Sequence, residues 1–458
     1  MLSGFSLLVC FVLLVVLMIV AIAKFKWHPF LAIMGASLLL ALFSLPLTEI
    51  PASIGNGFSG TFTSLGIVII LGTMIGMILE KTGAALSMAD SVIRVVGKKK
   101  PQIAILLMGW LVSIPVFCDS GYVMLNPIRK ALTRRIGTSA VTMAICLASG
   151  LYVSHVFIPP TPGPIAAAQY LGLENHMLTI ILAGLAVSVP VLSAAYLYAG
   201  FIGKKVHIDE ELDDGLESYE ALKASYGKLP SPLSAFLPIL VPILLMAFKS
   251  TADILKLSGK IGEIIRFAGT PVIALTVGLV FAAVLLFRNG YSKDFYPLSN
   301  ETLKVAGPIL FVTAGGGVLG KVINDAGIVN YLADNLPVIR SVGILFPFLL
   351  AAALKTAQGS STVAITTTAG IMGMYSSGGS MMASLGLTSP LSAVLTVMAI
   401  GAGAMTVSHA NDSYFWVVAN FGGFKVQDAY KTHTICTLIM GLTGIISIWI
   451  FHFLLTIL

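Results

Sequence analysis

"HVFIPPTPGP", residues 155–164, places a histidine and four prolines inside a stretch whose flanks read as transmembrane helix. Pro159, Pro160, Pro162 and Pro164 each lack an amide donor, and each ring obstructs the carbonyl one turn back, so the helical ladder fails there. In hydrocarbon such a break is tolerated only where it is buried in protein or lines a wet cavity. It also exposes two half-helix ends at mid-membrane, an amide end of partial positive charge and a carbonyl end of partial negative charge. Thr161 is placed to cap the second half-helix and Pro162 to open it, leaving amides suited to an anion.

The chain around this break has a membrane composition. Of 458 residues, 57% are hydrophobic and 10% charged, and the mean hydropathy is +0.95. This excludes a soluble globular protein and predicts an all-α polytopic membrane protein. The net charge of +7 fits cytoplasmic loops facing anionic lipid rather than nucleic acid. Predicted spans are 3–23, 29–45, 64–80, 138–170 (interrupted), 178–203, 234–248, 268–287, 304–322, 391–420 (interrupted) and 434–457. The first lacks a basic n-region and a small-residue cleavage site, so it reads as a retained helix. Cys10, Cys118, Cys146 and Cys436 lie in apolar segments without C-x-x-C spacing, which supports neither disulfides nor a metal site, and no cofactor is expected.

Basic residues set the orientation. With residues 24–28 cytoplasmic, most of the 27 Lys and Arg fall on the cytoplasmic side, as the positive-inside rule requires. The stretch 102–128 follows Lys98, Lys99 and Lys100 and precedes Arg129, Lys130, Arg134 and Arg135, so both flanks want the same face. It is read as a re-entrant hairpin from the cytoplasm with "FCDSG" (117–121) at its tip. The stretch 341–370, centred on "KTAQGSST" (355–362), lacks such flanks and reads as a second hairpin, entering from outside. Residues 204–233, with "DEELDDGLE" (209–217), form a solvated cytoplasmic linker.

The two halves repeat. "GIVIILGTMIGMILEKTGAALSMADSV" (66–92) resembles "GPILFVTAGGGVLGKVINDAGIVNYLADNL" (307–336). After each come a hairpin and an interrupted helix containing Val-Ser-His, at 153–155 and 407–409. Because spans 64–80 and 304–322 cross in opposite directions, residues 1–203 and 234–458 read as inverted repeats. In the second, "SHANDSYFW" (408–416) offers Asn411, Asp412 and Ser413 to cap or unwind a helix. Four breaks thus converge near the midplane, the shape of a substrate site between inverted repeats.

Ionisable residues within membrane segments cost about 2.5–3.5 kcal/mol at a helix centre and are functional candidates by default. Asp119, at a hairpin tip, is read as the proton carrier, and Asp412 as a second carrier or a helix cap. His409 joins this proton-coupling set. His155 can donate to an anion, relay a proton or be satisfied structurally. Lys355 is the candidate cation for a substrate carboxylate, or neutralises Asp119 or Asp412. Ser120, Thr161, Gln358, Ser360, Ser361, Thr362 and Asn411 supply neutral polar groups, and Gly121, Gly163 and Gly359 allow close backbone approach. A polyol acid fits this set. Glu80, Asp90, Arg94 and Asp325 read as interface charges.

"VFCDSGYVMLNP" (116–127), "HVFIPPTPGP", "AQGSSTVA" (357–364) and "NDSYFW" (411–416) resemble the gluconate permease (GntP) family of proton symporters, within the ion transporter superfamily. The resemblance runs over nearly the whole chain. It implies proton-driven uptake of gluconate or a related hydroxy acid across the bacterial cytoplasmic (inner) membrane. It also implies an elevator-like movement of the hairpin-containing body against a scaffold homodimer. Many members carry His where this chain has Thr161, and Glu where it has Asp119, which leaves the individual acid open. Glycerate and D-serine, or a sodium-coupled or exchange carrier, are the alternatives. The implied partners are a small organic anion, protons, membrane lipid and a second copy, with no nucleic acid. No G-x-S-x-G or H-E-x-x-H motif is present, so an intramembrane hydrolase is not expected.

Overall fold

The computed structural model describes residues 2–25, 27–96, 101–136, 138–208, 224, 226–328, 331, 342–409 and 412–457. Among them every regular element is helical and no strand occurs. Seven helices among the described residues are long and apolar enough to cross a membrane, with an eighth if a bent pair counts as one span.

The first half opens with α1 (Gly4–Ala23) and α2 (Pro29–Ser44), which pack on one another. Their outer faces leave Phe5, Leu13, Leu17 and Leu31 exposed, as lipid-facing helices do. Next, α3 (Ile50–Lys81) begins well before the predicted span 64–80. Its first turns, "IPASIGNGFSGTFTS", are too polar for hydropathy to mark, yet their one proline sits harmlessly at the helix start. The chain then turns by 75° at Gly83, whose φ is +70°, into α4 (Ala84–Val96). The predicted hairpin 102–128 is α5 (Pro101–Val112) and α6 (Cys118–Ile136). "FCDSG" is not its apex, because Cys118–Gly121 form the first turn of the returning arm. The interrupted helix 138–170 is α7 (Ala140–Phe157) and α8 (Pro162–Tyr170), followed by α9 (Met177–Ile202).

The second half contains α10 (Pro232–Ile254), the short amphipathic α11 (Gly259–Ala268), α12 (Pro271–Arg288) and α13 (Phe295–Asp325). The hairpin 341–370 is α14 (Leu345–Gln358) and α15 (Ser361–Met372). The interrupted helix 391–420 is α16 (Pro390–Met405) and α17 (Ser413–Gly422). A π-helical turn, Tyr430–Thr434, leads into α18 (Ile435–Ile457). The acidic part of the linker, 209–217, lies outside the described residues.

The same pairings recur in each half. The first hairpin arm packs on the first half-helix, α5 on α7 and α14 on α16. Both contacts are made backbone to backbone through a glycine. A Cβ on Gly150 of α7 would lie 2.1 Å from the Leu106 carbonyl oxygen, and one on Gly403 of α16 would lie 2.2 Å from that of Phe348. Around the breaks, contacts cross between the halves: α8 packs on the hairpin arm α15, and α17 on α6. On the other side, α2 packs on α13, α12 on α3, and α3 and α13 run against each other. The broken segments are covered by protein, with α15 buried throughout and α7 buried from Val141 to Phe157. That cover is what interrupted helices at membrane depth require.

Candidate functional site

The breaks enclose a cavity of about 320 Å³. From the first half it is lined by Phe117, Cys118, Asp119 and Ser120 at the start of α6, and by Tyr152 and His155 of α7. From the second half come Ser360, Ser361 and Thr362, which open α15, and Asp412, Ser413 and Tyr414, which open α17. Val305 and Ile309 of α13 form an apolar wall. A larger cavity, about 380 Å³, lies elsewhere between α3, α13 and α15 and is lined by Gln169, Lys321, Asn324 and several glycines. We place the chemistry in the smaller one, because ionisable groups and broken-helix ends meet there.

Each polar group in the site is held by a local rule. Hairpin arm α14 ends at Gly359, a left-handed residue at φ +86°, whose amide donates to the Lys355 carbonyl at 2.8 Å. Ser360 then caps α15, its hydroxyl accepting the Val363 amide at 3.3 Å. Across the cavity the Tyr152 and Ser361 hydroxyls meet at 2.7 Å, and Thr362 Oγ1 lies 3.4 Å from His155 Nε2. Asp412 caps α17 by accepting the Tyr414 amide through Oδ1 at 3.1 Å. The other oxygen, Oδ2, accepts the Ser408 hydroxyl at 2.5 Å and pairs with Lys355 Nζ at 2.5 Å. Lys355 also donates to the Gly359 carbonyl.

The placement of the predicted residues follows from these contacts. Asp119, Ser120, His155, Ser360, Ser361, Thr362 and Asp412 come together around the cavity. Lys355 is fully buried and does not line it, because Asp412 and Gly359 hold the ammonium behind the wall. Of the alternatives open in the sequence, the structure shows the one in which Lys355 neutralises Asp412. Thr161 does not cap α8 through its side chain; its hydroxyl donates to the Ile158 carbonyl at 2.6 Å. Thr161 lines a separate crevice that shares Phe117 with the central cavity. The amide end of α8 is therefore beside the site rather than in it. Gly121 and Gly163 serve packing: a Cβ on them would meet Leu151 at 2.6 Å and Ile365 at 2.9 Å. His409 stands away from the cavity with Nε2 3.1 Å from the Thr356 carbonyl. Asn411 lies outside the described residues, as does the side chain of Gln358. Asp325 accepts from Ser53 at 2.8 Å and pairs with Lys321 at 2.5 Å, a structural charge.

Asp119 differs from Asp412. Its Oδ1 is buried without a hydrogen-bond partner among the described residues, the Cys118 thiol lies 3.8 Å from Oδ2, and the Ser413 side chain also hydrogen-bonds the carboxylate. Sequence reading missed Tyr152, Tyr414 and His433. Tyr152 precedes His155 by three residues and so shares its helix face, a signal that was available. Tyr414 stacks obliquely on Tyr152, ring centroids 5.1 Å apart. His433 reaches Ser408 at 3.1 Å, but in "YKTHT" it reads as one more residue at the membrane edge.

A cavity walled by two hairpin breaks, the break before α17 and the flank of α7 is the geometry of a carrier, and the sequence matches the GntP family of permeases over residues 6–454. The chain belongs to the GntP permease family. As a GntP permease it is a transporter and not an enzyme. It is 34% identical over 446 residues to the inner membrane permease YgbN of Escherichia coli K12, covering 95% of this chain and 96% of that one. It is 31% identical to a gluconate permease of Zymomonas mobilis, covering 97% of each. The fold of this GntP permease is also similar to that of the YdaH transporter of Alcanivorax borkumensis, with a TM-score of 0.60 at 14% identity over 96% of this chain and 97% of that one.

Proposed function

We propose that this GntP permease carries gluconate or a closely related hydroxy acid across the bacterial cytoplasmic membrane together with a proton. Relatives named gluconate permease or gluconate transporter, in Zymomonas mobilis, Pseudomonas aeruginosa and Escherichia coli, support the substrate class. The cavity supports it as well, since hydroxyls of Ser360, Ser361, Thr362 and Ser413 face an apolar wall of Val305 and Ile309, a surface for a small polyol.

One observation carries the proton coupling. The Lys355 charge is already offset by Asp412, so Asp119 is a cavity carboxylate that makes no ion pair among the described residues. A substrate carboxylate and an ionised Asp119 in the same 320 Å³ repel. Protonation of Asp119 removes that repulsion, so substrate and proton load together and leave together. An inward proton gradient then drives accumulation.

The repeated pairings and the opposed directions of α3 and α13 support an arrangement of inverted repeats. In the elevator reading, the hairpins with the interrupted helices move against a body containing α3 and α13, whose homodimer sits in lipid. The central cavity shares Phe117, Ser120 and Val305 with a second space reaching Glu80, Lys81 and Glu301. The charge-based orientation puts that end at the cytoplasm, so this conformer is the one that releases substrate inward.

Proteoliposomes given an inward proton gradient test the proposal. Labelled gluconate should accumulate, and dissipating the gradient should abolish accumulation. Uptake that ignores the proton gradient and follows sodium would overturn the coupling, and saturation by another acid class alone would overturn the substrate.

A further inference from the structure

The Lys355 ammonium lies where broken backbone and a carboxylate converge. It is held by the Gly359 carbonyl, at the carbonyl end of α14, and by Asp412 Oδ2, at the cap of α17. Half-helix carbonyl ends and unwound backbone between repeats are the groups with which carriers hold a coupling cation. Asp412 is further fixed by Ser408 and by the Tyr414 amide, and the face of Tyr152 lies 5.7 Å from Nζ. The pocket is therefore built in advance for one positive charge, and Lys355 is fully buried within it.

We propose that this pocket is a monovalent-cation site permanently filled by the Lys355 ammonium, a tethered substitute for a free coupling cation. Lys355 lies four residues before Gly359 on the same turn of helix, so the charge travels with the hairpin and never dissociates. A cation that cannot leave cannot draw energy from a sodium gradient. The dischargeable charge is then the proton on Asp119; that last clause rests on the proton-symport reading, whereas the pocket itself does not.

The test uses purified full-length protein without substrate, so it is independent of what is carried. Melting temperature is measured in sodium, lithium, methylammonium and choline chlorides at equal ionic strength. The wild type should melt at the same temperature in all four. Lys355→Ala should melt lower in choline and regain several degrees, saturably, in sodium, lithium or methylammonium, which fit the vacated space where choline does not. A Lys355→Ala protein indifferent to the cation, or a wild type stabilised by sodium over choline, overturns the proposal. If Lys355→Ala is not recovered folded from choline, it is purified in sodium and in methylammonium. Recovery in either supports the site, and recovery in none overturns it.

Discussion

The hydroxyl of Tyr152 meets that of Ser361 at 2.7 Å, joining two residues 209 positions apart at the cavity wall. Tyr152 belongs to the first half's interrupted helix and Ser361 to the second half's hairpin. The bond therefore ties the halves together at the place where substrate would bind, and Tyr152 is buried to 1% exposure.

Tyr152→Phe keeps the ring beneath Lys355 but deletes this hydroxyl. The change should cost about 1 kcal/mol, the usual worth of one such bond, and free Ser361 to adopt other rotamers. Substrate affinity measured by equilibrium binding is expected to fall by roughly fivefold with the fold intact. Affinity equal to wild type would mean that Ser361 does not touch the substrate.

Asp119→Asn leaves the shape of the cavity but fixes it in the neutral state. Concentrative uptake should disappear while gluconate counterflow persists, because exchange moves no net proton. Wild-type uptake should also rise as the external pH falls, and that rise should be missing in the variant. Accumulation by Asp119→Asn at the wild-type level would remove this residue from the coupling.

Asp412→Asn retains the cap on α17 yet strands the buried Lys355 charge. Breaking one member of a buried pair costs about 3–5 kcal/mol, whereas removing both charges is often close to neutral. The double variant Lys355→Met with Asp412→Asn should therefore melt well above the single Asp412→Asn. A double variant no more stable than the single one would show that the two side chains are not energetically coupled.

Gly150→Ala would push a methyl group into the Leu106 carbonyl, which lies 2.1 Å from the Cβ position, and backbone cannot yield as a side chain tip can. Destabilisation of about 1–3 kcal/mol or more is expected. Gly200→Ala, where nothing lies within 4 Å, is the control. Similar melting temperatures for the two variants would contradict the close α5–α7 crossing.

Much of this was legible in the residues alone. Prolines at 159–164 and the apolar periodicity fixed where helices break, because a missing donor and the absence of water are local constraints. The basic flanks of 102–128 marked one helix pair, whereas 341–370 was marked by its polar centre. The polar first turns of α3 were hidden, since their packing on α13 depends on a distant partner, as Ser53 on Asp325, 272 residues away, and hydropathy cannot register it.

The order of helices, the membrane setting and the positions of the helix breaks were set by properties that belong to each segment separately. Which charge pairs with which was not. Lys355 had two acidic candidates in sequence, and only three-dimensional packing chose Asp412, withdrew the ammonium from the cavity and left Asp119 without an ion pair among the described residues. Pairing energies fall steeply with distance in a low-dielectric interior, and distances across the fold are not written in any one stretch of chain.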